Sequence, residues 1–176
     1  MRSDAPPVEI RRIRADEGLR LRAVRLRALA ETPLAFSSSL AREQAFPEAA
    51  WHERAADSAS GSDRATFVAA EADRWVGMAT GVARHPDAPH RSPMLVGMFV
   101  DATRRGRGIG AALVEAVTEW ARTLPDETLH LYLWATSTNR SATALYEKCG
   151  FSQTSEARPL QHMPSLREVQ MVRSLR

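Results

Sequence analysis

The chain has 176 residues, with 24 lysines and arginines against 21 aspartates and glutamates and a formal net charge of +3. That length suits one ordinary domain, residues 1–176, with a substantial core. No stretch stays apolar over the ~18 residues of a membrane span, and a single cysteine, Cys149, excludes an internal disulfide. Residues 1–7 lack the apolar segment of a signal peptide, so the expected location is cytoplasmic. Lys148 is the only lysine, an arginine bias that reads as genome composition rather than function.

Residues 8–13 read as a first strand and residues 16–30 as a helix stopped near Pro33. Arg20, Arg22, Arg25 and Arg27 alternate with Leu19, Leu21, Val24 and Leu26. That cluster reads as the solvated face of a helix, with a nucleic-acid surface as the minority reading. Residues 38–57 read as helical with a break at Pro47. Residues 65–71 and 75–83 read as two strands around a tight turn. A proline-rich loop over residues 85–93 leads into an apolar strand, residues 94–100.

The segment that follows carries the most information. Arg104, Arg105 and Arg107 interleave with Gly106, Gly108 and Gly110, and a helix begins at once. Its apolar stripe is Ile109, Ala112, Leu113, Ala116, Val117, Trp120 and Leu124, and Pro125 ends it. A strand, a glycine turn and a helix start form an anion cradle. The first N–H groups of the helix have no internal partner and point into the turn. The spacing Gly106-x-Gly108-x-x-Ala111 meets a loose dinucleotide fingerprint, but the next strand, residues 129–135, ends without the acid that binds a ribose. A Walker loop would need Gly-Lys-Ser/Thr, and Gly110 precedes Ala111 and Ala112. Residues 151–154 and 168–172 read as closing strands around a loop at 158–165. The order of elements suggests an α+β fold with a mostly antiparallel sheet and one parallel strand pair.

Two blocks resemble the GNAT superfamily of N-acetyltransferases. Arg105-x-x-Gly108-x-Gly110 matches that family's R/Q-x-x-G-x-G/A signature between a strand and a long helix. Asn139-x-x-Ala142-x-x-Leu145-Tyr146-Glu147-Lys148-x-Gly150-Phe151 resembles its later N-x-x-A-x-x-L-Y-x-x-x-G-F stretch. The close resemblance covers roughly residues 94–151. It implies a central sheet whose two parallel strands splay apart, flanked by helices, with acetyl-CoA as co-substrate. It further implies that backbone groups of Arg105, Gly106, Arg107, Gly108, Ile109 and Gly110 hold the pyrophosphate. Met98, Phe99 and Val100 would pair with the pantetheine arm and serve the oxyanion. Asn139 and Tyr146 would complete the cofactor site. Ala102 departs from the proline common at its place.

Acyl transfer from a thioester to an amine needs a neutral amine, a stabilised oxyanion and a protonated leaving thiolate. Tyr146 is the expected catalytic residue. It lies two helical turns beyond Asn139, a good N-cap. The resemblance places such a tyrosine near the sulfur, where its phenol, ordinarily titrating near ~10, could protonate a thiolate. The alternative role is core packing beside Leu145. No general base is readable: Met94 stands where some members carry a glutamate, Asp101 would face the pyrophosphate end, and Glu71, His130 and Tyr132 remain alternatives beside a water chain. His85 and His90 lack further ligands, so no metal is expected. Cys149 reads as a helix-end thiol, and residues 37–39 as a helix N-terminus.

The expected function is therefore transfer of an acetyl group from acetyl-CoA to a primary amine of a small molecule or peptide, by direct attack. Two alternatives are a nonenzymatic acyl-CoA sensor on the same fold and a nucleic-acid-binding module. Acceptor choice should lie in the first two helices and the 158–165 loop. Glu31, Glu43 and Glu48 could attract a cationic amine or be solvated helix residues. The acceptor, the acyl chain preference and the oligomeric state, a homodimer included, stay open.

Overall fold

The computed structural model describes residues 7–125 and 128–176. The stretch read as lacking a signal peptide thus lies, apart from Pro7, outside the described residues. No helix among the described residues is long and apolar enough to cross a membrane.

Among the described residues seven strands form one sheet: β1 (Val8–Arg12), β2 (Arg64–Glu71), β3 (Arg74–Val82), β4 (Met94–Val100), β5 (His130–Thr136), β6 (Ser152–Leu160) and β7 (Met163–Ser174). Their order is β1-β2-β3-β4-β5-β7-β6. Every neighbouring pair is antiparallel except β4 and β5, which run parallel. The architecture is the expected α+β sheet with one parallel pair. The strand–helix–strand crossover through α4 (Ile109–Arg122) makes that pair.

The other helices are α1 (Gly18–Glu31), α2 (Leu40–Gln44), α3 (Glu48–Ser60) and α5 (Arg140–Lys148). The helical region expected over 38–57 divides at Pro47. The side chain of Ser39 caps α2 by accepting from the Arg42 N–H at 3.3 Å, and α3 starts directly after Pro47. The expected loop at 158–165 is instead the closed end of a hairpin, with Leu160 paired to Met163. Its polar sequence hid the strands. β6 is a mostly exposed edge strand, where alternation with a buried face is weak, and Pro159 is tolerable at an edge.

Strand alternation divides the core between the two sheet faces. On one face α4 buries Leu113, Val114, Val117, Trp120 and Ala121 in a cluster with Ala69, Val76, Leu131, Leu133 and Met171. On the other, α1 and α3 bury Leu21, Val24, Ala28, Leu29, Trp51 and Ala55 with Val68, Ala70, Met78 and Phe99. The buried α4 stripe includes Val114 and Thr118 where the sequence suggested Ala112 and Ala116. The Thr118 hydroxyl donates to the Val114 carbonyl at 2.9 Å, which satisfies it inside the core.

Helix α4 lies so close to β3 that Gly81 has no room for a side chain. A Cβ there would sit 2.3 Å from the Trp120 ring. Gly81→Ala is expected to destabilise the fold by about 1–3 kcal/mol through overpacking. Urea unfolding checks this, and an unchanged midpoint would show that the ring relaxes freely.

Candidate active site

Strands β4 and β5 meet in one register pair, Met94 with Tyr132, and the Tyr132 N–H donates to the Pro93 carbonyl at 3.0 Å. Beyond that point they separate. On its other side β4 stays paired to β3, with a bulge that sets Gly97 and Met98 opposite the single residue Ala79. Gly97 has φ +63°, a left-handed conformation that glycine adopts without strain. The bulge re-aims the strand at the point where it leaves β5.

A cleft of about 740 Å³ fills the split. Its walls include Met98, Phe99 and Val100 of β4, Trp134 and Ala135 of β5, the glycine turn, and one face of α5. Thr32, Ala35 and Phe36, just after α1, also line it. The sequence did not single out these three. They reach the cleft because the Thr136 hydroxyl donates to the Leu34 carbonyl at 2.5 Å, anchoring the segment to β5.

At one end lies the turn. Gly106 and Gly108 have φ of +76° and +79°, and a Cβ added to either meets nothing within 4 Å. None of the backbone N–H groups of residues 105–111 donates to another group among the described residues, and the first helical bond is Ala112 N–H to the Gly108 carbonyl. Unpaired donors, open space and a helix N-terminus suit a pyrophosphate. Gly110 differs, because a Cβ there would sit 2.9 Å from Leu145 Cδ2. Its missing side chain lets α4 and α5 pack together. Ile109 is 5% exposed, with its side chain in the core, so it can offer a ligand only its backbone. Arg107 is exposed and stands outside the cleft lining.

The turn is held from behind. Arg104 pairs with Glu71 at 2.7 Å, and Arg74 pairs with Asp101 at 2.5 Å. Asp101 also accepts the Thr103 N–H at 3.0 Å and the Thr103 hydroxyl at 2.7 Å. The Thr103 hydroxyl holds the Asp101 carboxyl below its ordinary pKa. These bonds supply the rigidity that a proline at Ala102 would otherwise provide. They also commit Arg104 to Glu71, while Arg105 Nε donates to the Val100 carbonyl at 3.0 Å.

Asn139 caps α5, accepting the Ala142 N–H at 3.2 Å, and lines the cleft. Two turns on, Tyr146 is 7% exposed and lies edge-on to Phe151, ring centroids 6.0 Å apart. Its hydroxyl makes no hydrogen bond within the described residues, and the residue lines the cleft. Burial, then the neighbouring Cys149, pushes its pKa well above the ordinary value, so the phenol keeps its proton. Burial likewise raises the Cys149 thiol, which leaves it a poor nucleophile.

Glu71, His130 and Tyr132 all lie outside the cleft lining. Glu71 is occupied by Arg104, and the His130 and Tyr132 rings lie 6.2 Å apart on β5. The arginine cluster of α1 is only half solvated. Arg25 binds Glu43 at 2.8 Å and Arg27 donates to the Trp75 carbonyl at 2.5 Å. Glu43 itself is 3% exposed. It is neither a solvated helix residue nor free to attract a cationic amine. Arg25 and Arg54 share its carboxylate.

The sequence profile of the acetyltransferase (GNAT) family matches residues 27–151. Solved structures agree in fold. An acetyltransferase of the GNAT family from Streptococcus pneumoniae superposes with a TM-score of 0.79 at 18% identity, covering 96% of this chain and 99% of that one. A Salmonella typhimurium protein described as an acetyltransferase, solved with its cofactor acetyl-CoA, gives 0.74 at 16% identity over 97% and 95%. The ribosomal-protein-S18-alanine N-acetyltransferase of Escherichia coli gives 0.64 at 18% identity over 96% and 94%. No protein of curated function matches the chain in sequence. The chain belongs to the GNAT family of acetyltransferases, whose cofactor is acetyl-CoA.

The Glu71–Arg104 pair has a pH signature. The Arg104 hydrogen bonds lower the Glu71 pKa in the folded state. Its stabilisation is therefore present above the unfolded carboxyl pKa of about 4.3 and lost as pH falls through the folded value. The destabilisation caused by Glu71→Gln should be largest near neutrality and shrink below pH ~4. Urea midpoints across pH check this, and a pH-independent difference would show that the pair carries no such linkage.

Proposed function

We propose that residues 1–176 form one N-acetyltransferase domain that moves an acetyl group from acetyl-CoA to a primary amine of a small molecule or peptide, by direct attack in a ternary complex. The observation that carries this reading is the continuity of the cleft. It runs from the unpaired N–H groups of the turn, along the open edge of β4, to Tyr146. A lone free cysteine fits a cytoplasmic setting.

Acetyl-CoA supplies an activated thioester, so that a C–N bond forms as the C–S bond breaks and the proton lost by the amine is balanced by one gained at sulfur. In this reading residues 105–110 receive the pyrophosphate with backbone N–H groups. The open edge of β4 at Met98, Phe99 and Val100 offers peptide groups to the pantetheine amides and an N–H to the developing oxyanion. Asn139 fixes the start of α5, and with it the position of Tyr146. The Tyr146 phenol, kept protonated by burial, donates its proton to the leaving thiolate.

One observation favours a second reading, a nonenzymatic acyl-CoA sensor: among the described residues no Asp, Glu or His lines the cleft. Turnover of any amine above the buffer rate removes it.

Replacing Gly108, at φ +79°, with valine is expected to raise the KM for acetyl-CoA at least tenfold. The substitution strains the backbone and fills the space over the turn. Tyr146→Phe keeps the ring and should lower kcat on the order of 10²-fold, with little change in cofactor affinity. Steady-state kinetics with thermal-shift titration of acetyl-CoA separate the two effects. Wild-type turnover by Tyr146→Phe, with chemistry shown to limit the rate, would reduce Tyr146 to a packing residue.

The raised Tyr146 pKa also fixes the basic limb of the pH profile. The donor form persists up to pH ~10, the ordinary phenol value, so kcat should rise to a plateau as the amine deprotonates. A fall in kcat between pH 8 and 9.5, present in the wild type and absent in Tyr146→Phe, would contradict this.

A further inference from the structure

A second cavity, of about 170 Å³, lies between the sheet and helices α1 and α3, with Val96 and Gly97 as walls shared with the cleft. Arg25 stands at the seam. Its Nε and Nη2 hold Glu43 at 3.0 and 2.8 Å, and its guanidinium lies over the Phe36 ring at 4.6 Å. The remaining nitrogen, Nη1, would be 3.7 Å from a Cβ on Gly97. It is buried and has no hydrogen-bond partner among the described residues.

Trp51 also lines this cavity. The residue is 1% exposed, and its Nε1 is likewise without a partner. Two more buried nitrogens lack hydrogen-bond partners among the described residues, Arg27 Nε, which lies 3.9 Å from the Glu31 carboxylate, and Trp75 Nε1, but neither residue lines a cavity described here. Both orphaned groups of the cavity can only donate. A buried donor without a partner is costly, so what they lack is an acceptor, not an amine. The charges agree. Arg25, Arg54 and Arg64 line the cavity against the single carboxylate of Glu43. Arg64 makes no ion pair among the described residues, and the Thr66 and Thr80 hydroxyls, 2.8 Å apart, add polarity to the wall.

We propose that this cavity is the acceptor subsite and that it selects amines bearing a carboxylate, amino acids being the simplest class. Arg25 Nη1 and Trp51 Nε1 take the carboxylate, and Arg64 supplies further positive charge. The amine then faces the seam at Gly97, toward the cleft. A cationic polyamine, with no acceptor oxygens, leaves both orphaned donors unsatisfied and meets three arginines against one carboxylate, which Arg25 and Arg54 already share. The proposal rests on the acetyltransferase reading above and names its substrate class.

The test uses the standard amino acids and matched amines that lack only the carboxylate, such as leucine with isoamylamine and lysine with cadaverine. At least one amino acid should exceed its matched amine in kcat/KM by tenfold or more. Trp51→Phe and Arg64→Gln should lower that preference, and Arg25→Gln combined with Glu43→Gln should lower it roughly 10- to 100-fold, the range of one charged hydrogen bond. The double variant avoids leaving Glu43 buried without Arg25, and Trp51→Phe keeps the packing ring. A readout independent of turnover is the Trp51 indole N–H resonance, assigned by its loss in Trp51→Phe. A preferred amino acid should shift it and its matched amine should not.

If acetyl-CoA binds and carboxylate-free amines are acetylated as well as or better than their amino acids, the subsite proposal is overturned while the acetyltransferase reading stands. If acetyl-CoA neither stabilises the protein nor supports turnover, that reading fails, and the indole resonance still decides the subsite. No shift with any amino acid overturns it.

Discussion

A parallel strand pair that shares one bridge and then parts is the constraint on which the rest of this structure depends. Met94 and Tyr132 hold β4 and β5 together at one end. Past them the facing edge of β4 has no strand partner, and buried peptide groups left unpaired cost about 1–3 kcal/mol each. The split survives because each half of the sheet is stiff on its own. β4 is laddered to β3, and β5 is paired with β7 along its length from His130 to Thr136. Helix α4 spans β2, β3 and β4 on one face. The gap is then a place where a ligand with peptide-like groups can complete a sheet.

The glycine turn shows how the chain separates scaffolding from binding. The side chains nearest the turn look backward: Arg104 to Glu71, Arg74 to Asp101, Asp101 to Thr103. What the glycines of the turn offer the cleft is backbone. A cradle of N–H groups needs no particular side chain at its surface, only dihedral angles that glycine allows and anchors that keep the loop from relaxing. The ion pairs are therefore best understood as holding geometry, since partly exposed pairs contribute little net stability.

Local pattern made the central strand–turn–helix readable. The apolar run of residues 94–100 became β4, and α4 began at Ile109, directly after the glycines. Asn139 became the α5 cap. Three other features escaped for distinct reasons. The Gly97 bulge is invisible in an apolar run, because register against β3 decides it. The β6–β7 hairpin reads as loop because an exposed edge strand carries little alternation. The inward turn of Arg25 depends on Glu43, which lies 18 positions away on another helix. An arginine whose partner is brought by the fold cannot be told from a solvated one by spacing alone.

The same non-local charge bears on the absence of an acid or histidine among the described residues of the cleft. Attack on a thioester requires a neutral amine, usually explained by a protein base. Positive charge nearby achieves part of that end, since it disfavours an ammonium and lowers its pKa. At an effective dielectric of about 20 a unit charge ~8 Å away is worth roughly 2 kcal/mol, more than one pKa unit. Arg25, Arg54 and Arg64 together exceed Glu43 by two positive charges. A bound carboxylate offsets one of them and leaves the sign unchanged. An acceptor held there would lose its proton to solvent more readily than in water. In the proposed subsite the arginines that select the substrate would also favour its neutral, nucleophilic form, so that attack would not require a base among the described residues of the cleft.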